Sequence, residues 1–227
     1  MNDKNIKDNS KTKKTILKYL FSVIGICFSS LGVALLLVSQ LGSGPFDAFN
    51  YYMSIIYQSN DFFSFLNVAN TVIFHSALIN LLIVAVRKKP KYLIYLIPGT
   101  LFGFVLGLWM DLINLIPYSE PIRYVYAPLG VFMLALGICV GVICNVMMTP
   151  YDGFGFLVHD YIIKDMGKAR MILEGLFFVL SLVLALLFWD FSQIGIFTVI
   201  VVFLLGPLVK FLIKHINKLK IFKYLNS

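Results

Sequence analysis

Two carboxylates stand out in a chain that is otherwise poor in charge. Residues 41–54 read LGSGPFDAFNYYMS and residues 146–159 read VMMTPYDGFGFLVH. Both follow a long apolar run, and both place Pro-aromatic-Asp where that run stops. Proline fixes φ near −65° and lacks the N–H that a helix start leaves unpaired, so it suits the first helical position. With Pro45 and Pro150 there, Gly44 and Thr149 become the caps, and Asp47 and Asp152 become the third helical residues. TPYD then reads as a capping box, the threonine side chain bonding forward and the carboxylate bonding back. In the first copy, Gly42 and Gly44 permit a tight turn out of the preceding run. A carboxylate in the first turn also meets the positive end of the helix dipole, worth about 0.3–1 kcal/mol in water. Two roles stay open for Asp47 and Asp152. They are caps that satisfy a helix restarting at depth, as a bilayer demands, or they line a polar site able to take a cation or a proton.

Other polar residues interrupt the apolar runs. His75 and Glu174 are ionisable groups inside expected spans, where burial is costly and function is the default reading; a satisfied interior pairing is the alternative. His75, as a lone titratable group, could support proton coupling. Gln40 and Asn145 precede the two breaks at matching distance. The candidate substrate or ion site is therefore Asp47, Asp152, His75, Glu174, Gln40 and Asn145, with half-helix starts at Gly44, Pro45, Thr149 and Pro150. Cys27, Cys139 and Cys144 lie in apolar runs without CxxC spacing and read as packing thiols, so neither a metal site nor a cofactor is expected. There is no Walker loop, HExxH or nucleophile elbow, and the expectation is a protein that is not an enzyme.

Composition says what must position these residues. The chain has 227 residues, is 59% hydrophobic and 13% charged, and has a mean hydropathy of +0.88. A soluble domain carries about 25% charged residues. The apolar residues come in continuous blocks, without the alternation of a membrane barrel. The expected fold class is all-α, a polytopic helical membrane protein. Six spans are predicted, at 15–39, 66–86, 92–115, 124–148, 169–189 and 193–213, each able to cross a core of about 30 Å. The segments 45–58 and 150–164 make only about 21 Å of helix each, and are predicted to be re-entrant or interfacial.

Charge sets the expected orientation. With a cytoplasmic N-terminus, 18 of the 19 Lys and Arg residues fall on the cytoplasmic side and only Arg123 falls outside. The expectation is a plasma-membrane protein with both termini cytoplasmic. The basic start runs into an apolar stretch too long for a signal-peptide core and is expected to be retained. The net charge of +8 comes from clusters beside apolar runs, which argues against nucleic acid and for an anionic inner leaflet as partner. The tail at 214–227 is a basic amphipathic stretch expected to lie along that leaflet.

The breaks belong to a longer internal similarity. Residues 31–49 align without gaps to 136–154, pairing Gly32 with Gly137, Gln40 with Asn145, Pro45 with Pro150 and Asp47 with Asp152. Further on, at an offset of 99, His75 falls on Glu174 and GLWMD (107–111) on GPLVK (206–210). The organisation read from this is a basic tail at 1–14, a first repeat at 15–118, a second at 119–213 and the tail at 214–227. Each repeat holds three spans and one broken helix. Three is odd, so the halves are expected to insert upside down relative to each other, an arrangement typical of transporters with mid-bilayer sites. Gly99, Gly103 and Gly107 predict close helix packing, and Pro98 and Pro207 predict kinks. Tyr51, Tyr52, Tyr57, Trp109 and Tyr118 are assigned to the outer aromatic belt; Tyr92, Tyr151 and Tyr161 to the inner one.

The two Pro-aromatic-Asp segments, the GKARMILEG stretch after the second of them and the GIFT…GP stretch at 195–207 resemble the bacterial YczE/YyaS/YitT-type integral membrane proteins, from about residue 17 to 213. The resemblance implies location and architecture and carries no agreed activity. His75 opposite Glu174, and Gly153 where the first copy has Ala48, break the symmetry. The functional expectation is a transporter or channel-like protein for a small solute or ion. The alternative is a non-transporting accessory or scaffold beside a partner complex. A homo-oligomer or a membrane partner stays open.

Overall fold

The computed structural model describes residues 3–117, 119–147, 149–219, 221, 222 and 225. The expected Tyr118 belt position and the tail's Lys220 and Lys223 lie outside them. The described chain is helical throughout: α1 Asp3–Ser39, α2 Pro45–Gln58, α3 Val68–Arg87, α4 Leu96–Asn114, α5 Glu120–Cys144, α6 Pro150–Tyr161, α7 Met166–Phe188 and α8 Ile196–Ile216. Short 3-10 turns at Asp61–Phe63 and Pro90–Tyr95 lead into α3 and α4. Six helices, all but α2 and α6, are long and apolar enough to cross a membrane. This is a multi-pass membrane protein. α2, with 14 residues, and α6, with 12, reach about 21 and 18 Å, short of a hydrocarbon core.

Four of the six spans end where a left-handed residue forces the backbone to turn. Gln40, Lys88, Asn145 and Trp189, with φ of 55°, 52°, 49° and 56°, take the left-handed conformation directly after α1, α3, α5 and α7. That conformation stops a helix in a single residue. The stop at Asn145 comes earlier than the predicted boundary at 148, because the left-handed residue, not the end of the apolar run, ends α5. Pro98 does not kink α4. It is the third residue of that helix, in the first turn, where its missing N–H leaves no bond broken. Pro207 and Pro128 do lie inside α8 and α5.

α1 and α5 run antiparallel as the central pair. They approach so closely that a Cβ on Gly32 would sit 2.4 Å from the Leu134 backbone nitrogen, and one on Gly137 2.3 Å from that of Ser29. Glycine and other small residues let membrane helices pack in this way, where backbone contact replaces a hydrophobic driving force. α4 lies against α1, and α8 against α5. The predicted small-residue face of α4 packs on α3, a Cβ at Gly103 meeting Ile73 and one at Gly107 meeting Ala69. α2 sits between α3 and α7, and α6 sits between the same two helices. The tail turns back after α8, and Phe222 and Leu225 bury their side chains in a cluster with Cys139, Ile143 and Phe21. At these two positions its apolar side faces protein where lipid was expected.

The end of the bundle where the span of α1 begins is here the proximal end, and the opposite end is distal. At the distal end the loop after α1 locks onto the α7–α8 connection. Gln193 donates from Nε2 to the Leu37 carbonyl at 3.0 Å and accepts from the Ser43 N–H at 3.1 Å. Gly42, at φ 110°, takes a conformation that favours glycine, and a side chain there would strike Thr198.

Candidate functional site

Both short helices begin near the middle of the bundle and leave it in opposite directions. The Pro45 carbonyl accepts from Ser181 Oγ at 2.9 Å, and the Phe46 ring packs on Phe177, the central residue of the 23-residue α7. From there α2 climbs to the distal end, where the Tyr52 hydroxyl donates to the Asp190 carbonyl at 2.8 Å. α6 starts with the Pro150 ring 2.8 Å from where a Gly99 Cβ would stand, beside Ser76 in the middle of α3. It ends proximally, where Asp160 forms an ion pair with Arg87 at the end of α3.

The two starts touch. Phe46 and Tyr151, the aromatic residues of the two Pro-aromatic-Asp motifs, stack with centroids 4.6 Å apart. Phe177 packs edge-on to Phe46 at 4.9 Å, and Phe49 lies 5.4 Å from Phe177. Aromatic pairs of this kind are each worth about 0.5–1.5 kcal/mol beyond their area. Together they form a plug at mid-height.

A polar cluster lies proximal to the plug. Thr149 Oγ1 accepts from the Asp152 N–H at 3.2 Å and donates to Asp152 Oδ2 at 2.7 Å. The forward half of the predicted capping box is present. The carboxylate bonds to the threonine hydroxyl in place of the backbone N–H, because its other oxygen faces Arg170, whose Nη1 donates at 3.3 Å. Arg170 Nε also lies 3.8 Å from Glu174 Oε1. The buried Tyr151 hydroxyl lies beside Glu174. Asp47 folds back over Gly44, its Oδ2 2.8 Å from the position of a Cβ there. It lies within electrostatic reach of Glu174, and no hydrogen bond to its carboxylate occurs among the described residues. Gly44 has no side chain with which to reciprocate, so the first cap is one-sided.

His75 belongs to a second cluster. Its Nδ1 meets Asn50 Oδ1 at 2.7 Å and its Nε2 meets the Tyr57 hydroxyl at 2.9 Å. Asn50 Nδ2 donates to the Phe46 carbonyl at 2.6 Å. Phe49 stacks on the imidazole at 5.3 Å and makes a tilted contact with Phe177 at 5.4 Å, so Phe49 links His75 to the plug. Thus Asp152 and Glu174 meet on Arg170, with Asp47 at the facing helix start in electrostatic reach of Glu174; Gly44, Pro45, Thr149 and Pro150 build the starts, while His75 stands apart. Gln40 and Asn145 are not brought to the site. Both are exposed residues that end α1 and α5, and the Gln40 carbonyl accepts from Arg123 at 3.3 Å. Among the described residues, no three His, Cys, Asp or Glu side chains converge closely enough to hold a metal ion.

Several aromatic assignments are corrected by burial. Tyr151 is at the plug and not in an interfacial belt. Tyr52 is fully buried with its hydroxyl bonded; Trp109 is half-buried, and its Nε1 donates inward to the Cys27 carbonyl at 3.1 Å. The sequence reading also missed Arg170, counted there with the loop cations, and Asn50. The spacing TPYD…GKAR, with an arginine one turn into the next span, was the available signal for the first. Nothing in the sequence distinguished Asn50.

Proximal to the cluster, a cleft of about 200 Å³ is lined by Arg87, Tyr92, Tyr95, Gly153, Phe156 and Asp160. The space at Tyr151, Asp152, Gly155 and Arg170 itself is only about 10 Å³. Hydrogen bonds from His159 and then Arg87 hold the Asp160 carboxyl below the usual carboxylate range. A depressed carboxyl stabilises the fold above its ordinary titration range, and that stabilisation is lost as pH falls through the depressed value. Acidification, or Asp160→Asn at neutral pH, is therefore expected to loosen the proximal end of α6. Faster amide hydrogen exchange confined to 156–161 would register it; unchanged exchange there counts against the latch.

Comparison with known proteins adds family but not activity. The chain is 28% identical over 199 residues to the "Uncharacterized protein YyaS" of Bacillus subtilis (strain 168), covering 85% of this chain and 90% of the relative. No solved structure matches. Residues 16–214 match the family of unknown function DUF6198, and a membrane protein with two mid-bundle helix starts is what that family contains here: the chain belongs to DUF6198.

Proposed function

We propose that this protein is a plasma-membrane transporter or channel-like protein for a small solute or ion, with its site where the two half-helices meet. The observation that carries the reading is the Phe46–Tyr151 stack, with α2 and α6 leaving it toward opposite ends of the bundle. Discontinuous helices paired in this way are how inverted-repeat transporters build mid-bilayer sites. The inverted repeat is part of the proposal. It is supported by recurring contacts: α1–α4 and α5–α8, α2–α3 and α6–α7, α2–α7 and α6–α3. The left-handed stops at Gln40 and Asn145 also correspond. In this reading the proximal end is cytoplasmic, as the basic residues require. The aromatic plug closes the path between the proximal cluster and the distal His75 cluster, so the conformation is occluded.

The proximal cluster places one guanidinium among three carboxyls, which favours a cationic species over an anion. In reconstituted liposomes, Asp47→Asn and Asp152→Asn are each expected to lower ion-coupled flux by tenfold or more. Unchanged flux in both defeats the ion site. The scaffold reading is favoured by the space of about 10 Å³ at the cluster, which is too small for a solute. Solvent isotope labelling of the cluster in membranes separates the two, because a scaffold keeps it dry.

A further inference from the structure

We infer that the crevice between α7 and α8 binds an anionic phospholipid, its phosphate held between Lys168 and Lys210 and an acyl chain lying along the apolar walls. The site depends on the membrane setting of the bundle and not on the transport reading.

The two halves pack their last two spans differently. α4 lies on α3, where a Cβ on Gly103 would overlap Ile73 and one on Gly107 would stand 3.2 Å from the Ala69 Cβ. α7 packs on α2 and α6, and α8 packs on α5. Although only residues 189–195 join them, α7 and α8 hardly touch. The offset of 99 that lays His75 on Glu174 also lays Ile73 on Ile172, Gly103 on Val202 and Gly107 on Gly206. Ile73 and Gly103 meet, whereas Ile172 and Val202 are 49% and 40% exposed. A Cβ on Gly206 would meet nothing within 4 Å, and Gly175, about a turn from Ile172, is equally open. A face that holds a helix in the first half is therefore unpartnered in the second. Its walls are apolar, and Met171 and Phe203 beside them are largely exposed.

Charge decides what this face takes. The same offset lays Lys168 on Ala69 and Lys210 on Asp111. Lys168 stands in the first turn of α7, at the position from which Ala69 packs against Gly107 in the other half. Lys210 lies about a turn closer than Gly206 to the proximal end of α8. Both lysines are exposed, and neither ammonium group has a hydrogen bond or ion pair among the described residues. Asp165, the cap of α7, accepts from the Lys168 N–H at 2.9 Å. Closing α8 onto α7 as α4 closes onto α3 would bring two like charges together, which is costly away from water. A second copy docking here about a two-fold axis would set the same lysines against their own copies. A phosphate on an apolar tail meets both demands. Lysine stems lie along apolar walls while the ammonium groups reach headgroup level. Basic pockets between spans on the cytoplasmic side are where anionic headgroups bind.

The test is native mass spectrometry of the full chain, released from micelles holding equal amounts of phosphatidylglycerol and phosphatidylcholine. The wild type is expected to retain one phosphatidylglycerol per chain. Lys168→Gln and Lys210→Gln should lower that retention about fivefold each, and Lys168→Arg with Lys210→Arg should keep it. Lys88→Gln with Lys89→Gln, at the same end of the bundle, should leave it unchanged, which separates a site from the general pull of a basic protein. Gly206→Phe fills the crevice and should release the lipid without altering a charge. If thermal unfolding shows that variant to be misfolded, the lysine series decides alone. Retention indifferent to Lys168→Gln and Lys210→Gln, or lowered as much by the Lys88 and Lys89 pair, overturns the proposal. A dimer that Gly206→Phe splits also overturns it, as does efficient disulfide formation between Ile172→Cys and Val202→Cys in phosphatidylglycerol vesicles. Either result fills the crevice with protein. The assay reads lipid and not flux, so its failure leaves the transport reading untouched.

Discussion

Gly32→Leu is expected to cause a large fall in the melting temperature of the detergent-extracted protein. The α1–α5 pair is the centre of the bundle, and at Gly32 even a methyl group would lie 2.4 Å from Leu134 N and 2.6 Å from the Gly130 carbonyl. These are backbone atoms of a neighbouring helix, so no rotamer change relieves the clash. Separating the helices would also undo the matching contact of Gly137 on Ser29. Overpacking typically costs about 1–3 kcal/mol; two interlocked backbone contacts put this case at or beyond the upper end. Gly206→Ala is the control. A Cβ there meets nothing within 4 Å, and alanine favours a helix by about 1 kcal/mol over glycine. Thermal unfolding of purified variants should therefore move in opposite directions, a large fall for Gly32→Leu and no fall for Gly206→Ala. Equal melting temperatures would mean that the close approach of α1 and α5 is not what holds the bundle.

The second large effect is expected at Arg170. Arg170→Gln removes the one cation among Asp47, Asp152 and Glu174. Breaking a buried pair by deleting one partner costs about 3–5 kcal/mol, because the other charge is left without compensation. Arg170 and Asp152 are 43% and 39% exposed in their side chains, so screening reduces this to about 1–3 kcal/mol. Adding Asp152→Asn to Arg170→Gln should recover part of the loss, since one of the charges stranded by the loss of Arg170 is then gone. A thermal-stability double-mutant cycle measures that coupling. Additive losses would show that the pair does not interact, and the account of the cluster's charge would fail with it.

The features legible in the sequence are those written into local chemistry. Six apolar blocks predicted six helices, and the Pro-aromatic-Asp breaks placed the starts of α2 and α6 at Pro45 and Pro150. Asp47, Asp152 and Glu174 were marked because ionisable groups in apolar runs are costly wherever the chain puts them. What could not be read was azimuth and depth. Gln40 and Asn145 looked like a polar pair at matching positions. Their role is conformational, and polarity alone does not separate a left-handed stop from a ligand. Arg170 counts as a loop cation by its position in sequence. It enters the site only because α6 restarts at mid-bundle and brings Asp152 down to it. Tyr151 looked interfacial for the same reason: a tyrosine next to a break lies at an end of the bundle only if the break does, and this break lies at mid-bundle. Tyr52 does reach the distal end, but its side chain is buried there.

The central claim is that α2 and α6 leave a shared mid-membrane start toward opposite faces. Labelling with a membrane-impermeant maleimide tests it most directly, using Ser59→Cys just beyond α2 and Lys164→Cys just beyond α6, with Cys27, Cys139 and Cys144 replaced. Intact right-side-out vesicles should label position 59 and not 164, and inverted vesicles should label 164 and not 59. Labelling of both positions from one side would contradict the account.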